Sequence, residues 1–112
     1  MNWSKASDLD INRRIAEIER MRFTVELGRV ITPGRFKAFS PCTDWYQAGP
    51  LILKHEVDVH FFVDENNLHE MGANAEVVEC EAISPNQETI RYRSLKTEAL
   101  RAAMICICIA HE

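Results

Sequence analysis

A chain of 112 residues, 46% hydrophobic and 27% charged, is sized and composed for one globular domain, residues 1–112, with a single core. With 17 acids against 13 Lys and Arg, the formal net charge of -4 repels phosphate backbones and argues against a nucleic-acid partner. The longest apolar run, Ala102–Ala110, is about half of what crosses a bilayer, the N-terminus is polar where a signal peptide is apolar, and the four cysteines lack secreted-scaffold spacing. These features predict a reduced, cytoplasmic protein with no membrane association.

Along the chain, Ser7 followed three residues later by Asp10 is a short-armed capping box, and apolar residues at Ile11, Ile15 and Ile18 recur at helical spacing, which predicts a helix over Asp8–Met21. Arg13, Arg14, Arg20 and Arg22 are interleaved with Asp8, Asp10, Glu17 and Glu19, the pattern of a solvated helix face rather than a basic patch. From Arg22 the period changes to two. Phe23, Val25 and Leu27 alternate with polar residues, which predicts a half-buried strand punctuated by Gly28 and then Pro33-Gly34, with a second short strand at Arg35–Phe39.

In the stretch Phe39–Val57, Thr43 or Asp44 can cap a first turn carrying Trp45 and Tyr46, and Pro50 fits the first turn of a renewed helix, Pro50–His55. Val57, Val59, Phe61 and Val63 then alternate almost strictly and are expected to face the core. Asp64-Glu65-Asn66-Asn67 is a turn cluster, Leu68–Asn74 carries no readable pattern, and Ala75–Ala82 and Glu88–Arg93 read as strands joined through Ser84-Pro85-Asn86. The tail, Thr97–Glu112, is rich in helix formers around Leu100-Arg101-Ala102-Ala103-Met104, and Thr97 with Glu98 offers a cap and a first-turn acid. A helix there, apolar nearly all round, puts Cys106 and Cys108 about 200° apart, where they cannot grip one ion and serve as core filler.

Few residues are grouped for chemistry. Cys42 precedes a helix N-terminus, where a thiolate would be stabilised, and His55, His60 or His69 could supply a base, but no cysteine-enzyme signature surrounds it. Asp58 and His60 share a strand face that Glu79 or Glu81 could join, yet solvated residues on a sheet give the same pattern and no pair has structural-zinc spacing. Gly28, Gly34, Gly49 and Gly72 are isolated, so no phosphate loop is present, and no cofactor or metal is expected. Adjacent Trp45 and Tyr46 point in different directions on a helical turn, so either one packs inward and the other is exposed beside Asp44 and Gln47 as a partner anchor, or both are partly buried under the Arg29–Phe39 loop.

Three blocks, "SDLDINRRIAEIE", "FSPCTDWYQAGPLILKHEV" and "LKTEALRAAMICICIAHE", covering about half the chain, resemble small phage and prophage proteins similar to NinX. The central block is the most specific, through Pro41, Thr43, Asp44, Trp45, Gly49, Pro50 and Lys54. The chain departs from its relatives in lacking a Trp-x-Ala step after the central strand, where Val77–Glu81 stands instead. The resemblance implies a phage accessory gene product with no assigned reaction and carries over no catalytic residue.

The expected fold is α+β. A small antiparallel sheet of about four strands, Phe23–Leu27, Val57–Val63, Val77–Glu81 and Ile90–Arg93, is covered on one face by the N- and C-terminal helices, with a short central helix. The leading functional reading is non-enzymatic: a protein that binds a host or phage protein through Asp44, Trp45, Tyr46, Gln47, Gly49 and Pro50, or through an exposed sheet edge. Two alternatives are a ligand-binding protein or small enzyme using Cys42, Asp44 and a histidine, and a factor associated with phage recombination or replication. Exposed sheet edges also allow a homodimer.

Overall fold

The computed structural model describes residues 1–35 and 37–112. Its first helix, α1 (Asp8–Ile18), opens on the capping box read from the sequence: Asp10 N–H donates to Ser7 Oγ at 3.1 Å and Ser7 N–H to Asp10 Oδ2 at 3.4 Å. It stops three residues before the predicted end. Arg20 takes a positive φ of 55°, and Met21 N–H reaches back to the Ala16 carbonyl at 2.9 Å while Arg20 N–H reaches Glu17, which is a Schellman ending built without glycine.

The next two strands, β1 (Thr24–Glu26) and β2 (Arg29–Ile31), form a hairpin of their own rather than part of the main sheet. Leu27 and Gly28 both have positive φ, 51° and 72°, as a two-residue type I′ connection requires. Val25 is 43% exposed and Leu27 91%, so the expected half-buried strand is overturned; of the alternating set only Phe23 packs on the core. The strand expected at Arg35–Phe39 includes Phe36, which lies outside the described residues; Phe39 forms an isolated antiparallel bridge to Val30.

The main sheet has three strands in the order β3 (Asp58–Asp64), β4 (Ala75–Ile83), β5 (Thr89–Leu95), all antiparallel. Register runs one to one from Asp58 opposite Glu81 to Asp64 opposite Ala75, and from Val77 opposite Leu95 to Ile83 opposite Thr89. The sheet reading thus holds for β3, β4 and β5, while the four-strand count divides into a two-stranded hairpin and a three-stranded sheet. Between β3 and β4 the unreadable stretch is tied down by buried Asp64, which accepts from Leu68 N–H at 2.7 Å and His69 N–H at 3.0 Å.

The C-terminal helix α3 (Ala99–Ala110) follows a 3₁₀ turn at Lys96–Glu98. No side chain caps it in the manner expected of Thr97; the Glu98 carboxylate instead accepts from Ser94 Oγ at 2.9 Å. One side of α3 lies on β4 and β5, and α1 packs on its other side, so the layers are sheet, α3, α1, and the two helices do not lie side by side on the sheet. That double coverage explains a helix apolar on all sides: Met104, Ile105, Cys106, Ile107 and Cys108 are all at most 1% exposed. Each large aliphatic side chain so buried stabilises the fold by about 1.5–3 kcal/mol. Arg101 closes the package by donating to the Ala6 carbonyl at 2.6 Å and pairing with Asp8 at 2.9 Å, while Trp3 Nε1 donates to Glu112 at 2.6 Å.

Candidate functional site

Asp44 caps one continuous helix, α2 (Trp45–Lys54), accepting from Tyr46 N–H at 3.0 Å. The renewed helix expected at Pro50 is not there: Pro50 sits inside α2 and leaves the Tyr46 carbonyl without its helical partner. Burial of Ala48 and Leu51 on the core side holds the helix through the proline, and Gly49 before it has no Cβ to resist the ring. A Cβ at Gly49 would stand 3.6 Å from the Trp45 ring, so the indole lies along the helix one turn back. The helix ends, like α1, in a Schellman motif without glycine: Glu56 has φ 51° and Val57 N–H bonds the Ile52 carbonyl at 3.0 Å.

The six residues of the predicted partner segment divide into a clamp and an exposed surface. Gln47 Nε2 donates to the Ala38 carbonyl at 3.1 Å and to Asp44 Oδ2 at 2.9 Å, and its Oε1 accepts from Ser40 N–H at 2.9 Å. The Gln47 amide, with Lys37 at 3.2 Å and Tyr46 N–H, holds the Asp44 carboxyl below the ordinary carboxylate range. Asp44 and Gln47 therefore fasten the 37–40 loop to α2. Trp45 and Tyr46 are 62% and 87% exposed, so neither ring packs inward as one was expected to.

Two clefts flank α2. On one side Trp45, Ile52, Val59, Phe61 and Leu100 line an apolar groove of about 310 Å³ between α2, β3 and the start of α3. On the other, Tyr46 and Pro50 join Glu19, Met21 and Phe39 around a more polar cleft of about 370 Å³. The groove exists because α3 covers β4 and β5 but not β3. Val59, Phe61 and Val63 share the helix-side face with Val78 and Cys80, as alternation predicted, yet Phe61 is 55% and Val63 49% exposed. Their expected core position is thus corrected: of the four alternating residues only Val57 is buried. The Lys96 ammonium sits 5.9 Å from the Phe61 ring centre.

The thiols lie inside. Cys106 faces the sheet, with Sγ 3.6 Å from the Ile90 carbonyl and Cys80 nearby, whereas Cys108 faces the α1 side beside Arg14 and Glu17. Burial pushes Cys42, Cys80, Cys106 and Cys108 each up to about 12. Cys42, expected near a helix N-terminus, is 6% exposed, and its N–H is held by Asn12 Oδ1 at 3.2 Å.

The histidines are scattered. His60 lies opposite Glu79 on the outer sheet face, where Arg93 and Arg91 take up Glu79 and Glu81 at 2.5 Å and 2.8 Å. His69 stacks edge-on against Phe62 at 5.3 Å. His55 meets Glu19 at 3.1 Å and the His111 ring at 5.2 Å, a cluster with no signature in the sequence because its members cap three different helices. Burial pushes Glu19 up, but hydrogen bonds from Lys54 and His55 outweigh it and leave the carboxyl below its ordinary value. Burial, with the His55 ring and Arg14 adding repulsion, pushes His111 down.

The sequence signal for Phe61 and Val63 as surface residues was slight: a seven-residue strand with neither Pro nor Lys. Among the described residues no helix is long and apolar enough to cross a membrane. No curated protein matches the chain. A solved structure described as a phage protein from Bacillus cereus ATCC 14579 is similar over 94% of this chain and 87% of its own, at 17% identity and a TM-score of 0.54, which is likeness of fold. A family model described as "Bacteriophage P22, NinX" matches residues 2–111, nearly the whole length, and the protein belongs to that phage family.

Proposed function

We propose that the protein acts without catalysis, by binding a host or phage protein through the surface around Trp45 and Tyr46. The observation that carries this reading is the pair of adjacent aromatics, 62% and 87% exposed, on a helix whose cap and loop are fixed by Asp44 and Gln47. Rigid, exposed aromatics are the side chains that anchor interfaces at low entropic cost. Against a nucleophilic role for Cys42 stand its burial and a thiol held at about 12; against a base role for Asp44 stand the three donors that occupy its oxygens. A cytoplasmic site of action belongs to the same proposal and is supported by four buried cysteines without a disulfide. The net charge of -4 favours a protein over a nucleic-acid partner.

Affinity capture from infected cells tests this, comparing the parent chain with the Trp45→Ala/Tyr46→Ala double variant. The expected result is a discrete partner retained by the parent and lost by the variant. An identical set of captured proteins from both, or none from either, overturns the proposal. Both side chains are solvent-exposed, so the double variant should fold.

A further inference from the structure

The exposed surface does not end at α2. It continues through the apolar groove onto β3, which is the edge strand of the main sheet. Sheet edges are ordinarily guarded by charge, proline or a bulge. The opposite edge, β5, carries Arg91 and Arg93. Strand β3 has no proline, bulge, Lys or Arg, and its charges are the Asp at each end: seven residues in unbroken register, Asp58 to Asp64, present Val59, Phe61 and Val63 on one side and Phe62 on the other. Acids outnumber cations at this edge, where the Lys96 ammonium sits 5.9 Å from the Phe61 ring centre. Glu56 and Asp58 stand at the groove end, Glu76 lies opposite Val63, and Glu65 follows the strand; among the described residues none of the four has an ion-pair partner.

From this geometry we infer that the edge accepts an extended segment of a partner protein, one that alternates apolar residues with Lys or Arg. The segment adds a fourth strand beside β3. Its backbone takes up the unpaired edge groups, its apolar side chains lie beside Phe61 and enter the groove toward Trp45 and Leu100, and its cations face Asp58 and Glu56. Charge complementarity selects this occupant over a second copy of the chain. Two β3 strands paired antiparallel about Phe61 would set Asp58 of each against Asp64 of the other and bring the same unpaired carboxylates together. The inference rests on the binding function proposed above and adds the chemistry of what is bound.

Calorimetry with two synthetic peptides tests it, one alternating Val with Lys and the other Val with Glu, with Trp45 emission reporting where they bind. The Lys peptide should bind at least about tenfold tighter than the Glu peptide at low salt. Phe61→Lys should weaken that binding by about tenfold or more, Asp58→Lys should shift preference toward the Glu peptide, and Leu27→Lys, at the exposed turn of the separate β1–β2 hairpin, should change nothing. Both Phe61 and Asp58 are exposed, so if one variant fails to fold the other still reads the result. Equal affinity for the two peptides, no binding of either, or equal losses in Phe61→Lys and Leu27→Lys overturns the inference. So does a dimer of the parent chain that Phe61→Lys dissociates, because a second copy would then hold the edge. A cellular partner captured through Trp45 and indifferent to Phe61→Lys removes the added strand while leaving the proposed function standing.

Discussion

Arg20 and Glu56 occupy the left-handed turn that ends α1 and α2, with φ of 55° and 51°, where glycine is the residue of lowest strain. Arg20→Gly should therefore stabilise the chain by about 0.5–1 kcal/mol in urea unfolding, the relieved strain exceeding the entropy glycine adds to the unfolded state. Ser7→Ala removes one half of the capping box and should cost about 1 kcal/mol by the same measurement. At the four cysteines, burial and thiols raised to about 12 predict that iodoacetamide leaves the native chain unmodified near neutral pH and alkylates all four after denaturation, read by mass. Rapid native alkylation of Cys106 or Cys108 would mean that α3 is not buried between the sheet and α1.

At the scale of elements, local chemistry was legible where it was self-sufficient. Ser7 and Asp10 announce α1, the Ser84-Pro85-Asn86 turn joins β4 to β5, and the helix formers from Leu100 to Met104 outweigh the β-branched Ile residues in the apolar run Ala102–Ala110. What needed a distant partner was not legible. Alternation says which residues share a face but not what covers that face, so Val25 and Leu27 read like core yet form a solvated hairpin, and Phe61 and Val63 read like core yet lie beyond the reach of α3. Pro50 misled for a related reason: helix propensity ends a helix at proline, whereas packing of Leu51 and Ala48 carries α2 through it. Of the candidate site, the exposure of Trp45 and Tyr46 together was missed, because adjacent positions on a helix do not reveal how far it projects from the core. Nor could spacing show that the C-terminal caps of α1, α2 and α3 bring Glu19, His55 and His111 together.

That meeting of helix ends contributes to the acid response of the whole molecule. His111 has its folded pKa below the ordinary histidine value of 6.5, so the unfolded chain binds more protons and stability falls as pH drops through 6.5 toward the folded value. Glu19, also lowered from 4.5, contributes stability present above 4.5 and lost below it, in the same direction. Urea midpoints should therefore decline between about pH 7.5 and pH 5, and His111→Asn should flatten the upper part of that decline.

The layered build of sheet, α3 and α1 leaves Trp45, Tyr46, Phe61 and Val63 gathered on the surface around α2 and the β3 edge, where a partner is proposed to bind. Site-specific photo-crosslinking in infected cells tests that placement most directly, with the reactive amino acid at position 45 and, as the control, at exposed Leu27 in the turn of the separate β1–β2 hairpin. The expected result is a discrete adduct from position 45 and none of that mass from position 27. The same adduct from both positions, or from 27 alone, would contradict it.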